Sequence, residues 1–334
     1  MKIYTLAFLL LFLFPIAWNE TMEFPVSYPI TECLQKLDSD SIKARVTNIV
    51  FKSTDGGTTW QNISEGLPEN IQGNAFFSDD SGLFLHAGNG LYYNKPNSAA
   101  PFWQKETFPD EHSSIARGNK GIIAYDYNGR ILQKLDGSSL WLPIYTNFKE
   151  QQVRTVYESA LGNVFIGSDN GLFKSTDKGK TWKQVQTGGW AMKIVESNGV
   201  LMATSQAGII RSTDEGENWD VVISEGGVGI AVESIEGGFA AITYSTKSNT
   251  RRVRTSYDGG KTWQPIDADL PAQLSIASII QVGEYLFCGH PVGIFRSADK
   301  GKTWQLMLPS IENKVFNLSV SGKVIYALPR NGGC

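Results

Sequence analysis

The chain has 334 residues, a formal net charge of −3 and a composition that is 11% aromatic with 34 glycines. The near balance of acidic and basic residues, with lysines scattered rather than clustered, removes the electrostatic case for a nucleic-acid partner. Length alone would allow two ordinary domains, an expectation that the internal repetition overrules.

Lys2 and the apolar run Tyr4–Phe14, followed by Ala17, read as a secretory signal over residues 1–17. Pro15, third from the cleavage point, is unusual there. The run is too short for a comfortable membrane span, and no Cys follows it to carry a lipid anchor. The expected mature chain is therefore secreted or periplasmic, without an integral membrane segment. Residues 18–44 read as a linker, and 45–333 as one repetitive domain.

The first strand of that domain, Val46–Lys52, leads into Ser53–Trp60 (STDGGTTW). The same pattern, Ser-x-Asp-x-Gly-x-x-Trp, returns at Ser175–Trp182, Ser212–Trp219, Ser256–Trp263 and Ser297–Trp304. Two decayed copies fill the gap after the first. Asn94–Trp103 keeps only the Trp, and Lys134–Trp141 keeps Asp136 and Trp141. Seven of the nine Trp residues (60, 103, 141, 182, 219, 263 and 304) thus obey one register of about forty residues. Before each box lies a strand, a Gly- or Asn-bearing turn and another strand, as in Asn163–Lys174, Leu83–Tyr93, Leu201–Arg211 and Tyr285–Arg296. Short runs of Val, Ile and Phe between such turns are strand signals, and no amphipathic helical period appears. Four strands per unit make the blade of a β-propeller.

After the last box the fourth strand, about Trp304–Leu308, is followed by Val315–Val320 and Lys323–Leu328. The chain stops where its own beginning resumes. The two final strands are expected to complete the two first ones in a composite blade, which closes an all-β ring of seven four-stranded antiparallel blades without exposed edges.

The box has a mechanical reading. Asp55, Asp177, Asp214, Asp258 and Asp299, with the Ser two places earlier, can bond to nearby N–H groups and hold a tight turn. Gly57, Gly179, Gly216, Gly260 and Gly301 tolerate positive φ. Trp60, Trp182, Trp219, Trp263 and Trp304 supply an apolar face to pack within the blade. Five equal copies argue for structure rather than catalysis.

These boxes resemble the Asp-box (BNR repeat) seven-bladed propellers, and the resemblance covers about residues 45–333. Within that superfamily the chain is similar to photosystem II assembly factor-like and sortilin-like propellers, and to sialidases and xyloglucan-cleaving glycosidases. Resemblance to the assembly factors implies a non-catalytic scaffold that binds a protein segment or a glycan. Resemblance to the sialidases implies a glycoside hydrolase, the alternative function. Sialidases carry an Arg-Ile-Pro motif near the first blade, whereas the nearest string here is Arg130-Ile131-Leu132, in the wrong blade. The xyloglucan-cleaving enzymes use two propellers with a cleft between, and glycosidases need two carboxylates at a set separation. Asp110, Glu111, Glu150, Asp267 and Asp269 fall in loops, but nothing in the sequence pairs them.

Any site is expected on the face away from the boxes, which carries the links between blades and the turns between second and third strands. His112, Arg117, Phe148, Arg154, Trp190 and Lys193 are the binding candidates, with Phe108, Lys149 and the link Ser245–Arg251 nearby. Cations interleaved with aromatics suit an acidic peptide or a carboxylated sugar. The plainer reading has the aromatics closing blade contacts and the charges solvated. Arg251-Arg252-Val253-Arg254 reads as a solvated strand edge, and Cys288 as a buried thiol. A Cys33–Cys334 bridge would staple the ring in an oxidising compartment. The three His residues are far apart and no Cys/His cluster has ligand spacing, so no metal or cofactor is expected. The reading is of a monomer.

Overall fold

In a computed structural model, the described residues are 47–69, 75–99, 102–150, 152–224, 227–247 and 249–331. The signal, the linker and the pair Cys33 and Cys334 lie outside them. The described residues are all-β and form seven four-stranded antiparallel sheets. The inner strands, in order from the first blade, are Val315–Ser321, Phe76–Asp79, Ser114–Gly118, Val153–Glu158, Ile194–Ser197, Gly227–Ile235 and Ser278–Val282. Each contacts the next, and the last returns to the first, so the blades close a ring and the chain is a seven-bladed β-propeller.

The first blade is composite. Phe51–Ser53 pairs with Val324–Arg330 in register Phe51↔Ala327, and carries Gln61–Asn62 on its outer side, while Val315–Ser321 lies innermost. The fourth blade shows the common plan: Val153–Glu158, Val164–Ser168 and Gly171–Ser175, then the box, then Lys183–Gln186.

The core is divided among the seven interfaces between blades. The cluster of Val156, Val164, Ile166 and Phe173 also takes Ile123, Ile131 and Phe148 from the third blade, and six analogous clusters fill the other interfaces. Alternation along each strand sends successive side chains to opposite neighbours, so second strands such as Val164–Ser168 are buried throughout. This corrects the role of the box Trp. Trp219 packs edge-on against Phe165 of the preceding blade, with ring centroids 6.4 Å apart. Trp304 lies buried among preceding-blade residues, its Nε1–H donating to the Ile266 carbonyl at 2.7 Å. The Trp is a fastener between blades, not within one.

The box Gly does two jobs. Its φ is 79–85° in all five complete boxes. A Cβ there would also strike the neighbouring blade: Phe287 from Gly57 and Phe165 from Gly216 at 2.5 Å, with Tyr145, Met202 and Ile266 opposite the other three. The Ser hydroxyl accepts the Gly N–H (2.7–2.9 Å) and donates to the Asp. The Asp accepts the N–H of the residue before the Trp, at 2.8–3.0 Å. Those bonds, led by the Thr181, Asn218 and Thr303 N–H groups, hold Asp177, Asp214 and Asp299 down at about 2.

The basic run is not a solvated edge. Thr250–Ser256 is an internal strand, with Arg251 and Arg254 buried and Arg252 held bidentately by Asp267 at 2.7 and 3.0 Å. Ser245, Thr250 and Arg251 lie in strands, so the proposed loop contact there is shorter than expected. Cys288 is buried in the second strand of its blade, and burial pushes its thiol up.

Candidate functional site

Strand direction places the boxes and the turns from inner to second strand on one face. The interblade links and the turns from second to third strand lie on the other. The six binding candidates separate on this frame. Arg117 lies on the box face, at the end of its inner strand next to the turn to Gly121. It reaches Asp79 of the preceding blade at 3.3 Å and grips Asp136 of its own decayed box with two bonds of 2.8 Å. Glu158, Glu196 and Gln281 end their inner strands in the same manner. They accept the turn N–H groups of Asn119 (2.5 Å), Ala160 (3.0 Å) and Glu236 (2.7 Å) in the preceding blades. Arg117 is therefore the cationic member of a belt of latches around the box-side mouth, not a member of the opposite face.

Phe148 is also displaced from the expected role. It is buried, edge-on to Trp182 and Phe173 at 4.9 and 5.4 Å. Phe108 is buried too, against His86 and Trp141. Both close interblade contacts, because an apolar ring in a link lowers its free energy by joining the adjacent cluster.

His112, Arg154, Trp190 and Lys193 remain. His112 is exposed in the link before the third blade, its N–H held by Asp110. Trp190 is half-buried and Lys193 exposed in the link before the fifth blade. Lys193 pairs with Glu233 on the next inner strand at 2.9 Å. Arg154 sits at a bulge in its inner strand. Its Nε and Nη2 donate to Asp169 at 2.5 and 3.1 Å, and its guanidinium lies 5.1 Å from the centre of the Tyr127 ring. The Arg154 guanidinium beside Asp169 holds that carboxyl below the usual range.

Two residues absent from the sequence-based selection join this surface. Tyr127 is 46% exposed in the turn of the third blade, and its hydroxyl donates to Asp169 at 2.6 Å. Arg130, half exposed, spans Asp110 at 2.5 Å and Asp126 at 3.3 Å. Asp110 is partly buried, which opposes ionisation, yet bonds from Ser113, His112 and Arg130 bring its carboxyl below the usual range. The signal was present as Asp126-Tyr127-Asn128-Gly129-Arg130, which carries an exposed aromatic and a cation where the next blade has only Asp169-Asn170-Gly171. Arg130, Tyr127 and Arg154 thus make a half-exposed strip across the third and fourth blades. A guanidinium has five N–H donors, so Asp169 leaves Arg154 with donors for a second acceptor.

Three of the five loop carboxylates have structural partners. Asp267 holds Arg252, Asp269 accepts the Trp304 N–H at 2.8 Å, and Asp110 holds its own link. Among the described residues no group of three or more His, Cys, Asp or Glu side chains is placed to hold a metal ion. Among the same residues no helix is long and apolar enough to cross a membrane.

The comparisons with known proteins agree with this architecture. The BNR/Asp-box repeat family matches residues 254–265, the fourth complete box. No curated protein matches the sequence. The GH74 xyloglucanase from Xanthomonas campestris is similar in structure, with a TM-score of 0.59 and 15% identity over 78% of this chain and 51% of the enzyme. The chain thus spans about half the length of that relative. YCF48 bound to D1 peptide has a TM-score of 0.55 and 15% identity, over 84% of this chain and 86% of that one. YCF48 from Cyanidioschyzon merolae has a TM-score of 0.53 and 13% identity, over 78% and 97%. At these identities the likeness is one of fold.

Proposed function

From an Asp-box seven-bladed β-propeller as the scaffold, we propose that this chain is a non-catalytic, exported protein that binds an acidic protein segment on the face opposite its boxes, as an assembly or scaffolding factor. The observation that carries the reading is the strip of Arg130, Tyr127 and Arg154, with Trp190 and Lys193 in the next interblade link. Its guanidinium groups are oriented by in-chain carboxylates and retain donors toward solvent. Tyr127 offers an apolar ring with a polar tip, the chemistry enriched at binding surfaces. A structural neighbour of nearly the same length was solved with a peptide bound, which supports peptide capture by this architecture. Export rests on the Lys2–Ala17 signal.

Two measurements separate this from a sialidase-like hydrolase. Substituting Arg154, Trp190 and Lys193 together by Ala should abolish retention on an array of acidic peptides while leaving the melt unchanged. Retention at wild-type strength would remove this face from consideration. Turnover of fluorogenic glycosides, sialosides included, that is lost on one loop-carboxylate substitution would replace the scaffold reading with the hydrolase.

A further inference from the structure

The residue just before the box repeats a device in four of the seven blades, while Tyr93, Gln133 and Thr255 hold that position in the second, third and sixth. Arg296 donates to the Gly56 carbonyl of the next blade's box at 2.8 Å, and Arg211 to the Gly259 carbonyl at 2.6 Å. Lys174 reaches Glu217 of the next box at 2.6 Å, and Lys52 the Lys95 carbonyl at 3.4 Å. In each case a long cation crosses the interface to the neighbouring blade. The third blade carries Gln133 at this position, by the register Trp141↔Lys134 and Leu142↔Gln133. Gln133 is shorter and makes no bond to the fourth-blade box, and here the interface opens into a cavity of about 410 Å³. Ligand pockets of drug-like molecules start at roughly 300 Å³.

The lining has a definite chemistry. Ile144, Val164 and Tyr145 form an apolar wall, and Asn119 and Gln133 add amides. Lys120 and Lys178 stand exposed at the box-face rim and enter no ion pair among the described residues. Glu158 is already engaged, Oε1 accepting the Tyr145 hydroxyl and Oε2 the Asn119 N–H, each at 2.5 Å. Tyr145 holds a φ of 53°, in the left-handed region that a bulky residue enters only when its surroundings impose it. With Glu158 committed to protein donors, few acceptors remain for a polyol, whereas an apolar body with one negative end is matched by the wall and the two ammonium groups.

We propose that this cavity, on the face opposite the peptide strip, is a binding site for a small aromatic carboxylate. The ring lies against Ile144, Val164 and Tyr145, and the carboxylate meets Lys120 and Lys178. The probe is 2-naphthoate, titrated calorimetrically into the full chain, with 2-naphthylmethanol and glucuronate in parallel. The expected result is saturable 1:1 binding of naphthoate, with the alcohol and glucuronate each weaker by about tenfold or more, a difference of roughly 1.4 kcal/mol. Joint Lys120→Gln and Lys178→Gln substitution should weaken naphthoate by about tenfold as well. Gln133→Arg, which restores the residue of the fifth and seventh blades, should fill the cavity and abolish binding with a melting temperature equal to or above wild type. No binding of naphthoate, equal binding of the alcohol or of glucuronate, or full binding by the Gln133→Arg protein would each overturn the proposal.

Discussion

Replacing Gly216 by Ala tests why the box needs glycine at its fifth position. The backbone there has φ 81°, and the new Cβ would lie 2.5 Å from Cε1 and Cζ of Phe165. Phe165 is wholly buried in the cluster that joins the fourth and fifth blades, so it has little room to withdraw. The left-handed conformation costs an L-residue about 1–2 kcal/mol. Forcing an extra methyl into a packed core adds about 1–3 kcal/mol. A combined loss of roughly 3 kcal/mol corresponds to a melting temperature lower by about 5 °C in a domain of this size. Gly237→Ala is the matched control, because Gly237 has φ 74° but nothing within 4 Å of a Cβ. It should lose only the conformational part, about 1 kcal/mol. The assay is a melt of both proteins followed by circular dichroism at matched scan rates. Equal melting temperatures for the two would refute the interblade half of the argument.

Two further outcomes follow from the same turns. Trp304→Phe strands the buried Ile266 carbonyl that the indole serves, and should cost about 1–3 kcal/mol. Trp182→Phe should cost less, because the buried Trp182 Nε1 has no partner in the structure; a denaturant titration showing the reverse order would contradict this. The box carboxyls govern acid stability. Asp177, Asp214 and Asp299 sit at about 2 in the fold against 3.8 for an unconstrained Asp. Depressed folded values mean that their contribution is complete above the unfolded value and is lost as pH falls toward the folded one. The melting temperature should therefore hold from about pH 7 to 5 and drop between about pH 4 and 2. A fall already evident between neutral pH and pH 5 would assign acid lability to other groups.

The blade count and the closing blade were legible because they depend on one-dimensional signals. Trp spacing, Gly turns and the matched ends of the chain needed no distances. The partner across each interface was not legible, and the errors come from that source. A box Trp looks the same in sequence whether it packs within its blade or against Phe165 of the blade before. Arg117 and Arg154 each lie on an inner strand, but Arg117 ends its strand and Arg154 nearly begins it, which sends them to opposite faces. That distinction turns on strand boundaries of two or three residues, where sequence reading is weakest. A link aromatic such as Phe148 can face solvent or fold under its own blade, and only its packing against Trp182 and Phe173 decides between them. Tyr127 and Arg130 were hidden in a turn whose Asn-Gly core reads as ordinary punctuation. The missing cation at Gln133 was visible as a residue, but its meaning required knowing where Arg211 and Arg296 reach.

The most direct test of a peptide-binding face is hydrogen exchange followed by mass spectrometry, with and without the tightest-binding acidic peptide from the array. Protection should concentrate in the turns around Tyr127 and Arg130, at Arg154 and Asp169, and in the link through Trp190 and Lys193, while the box turns exchange as before. Protection confined to the box turns, or none at a saturating peptide concentration, would contradict the account.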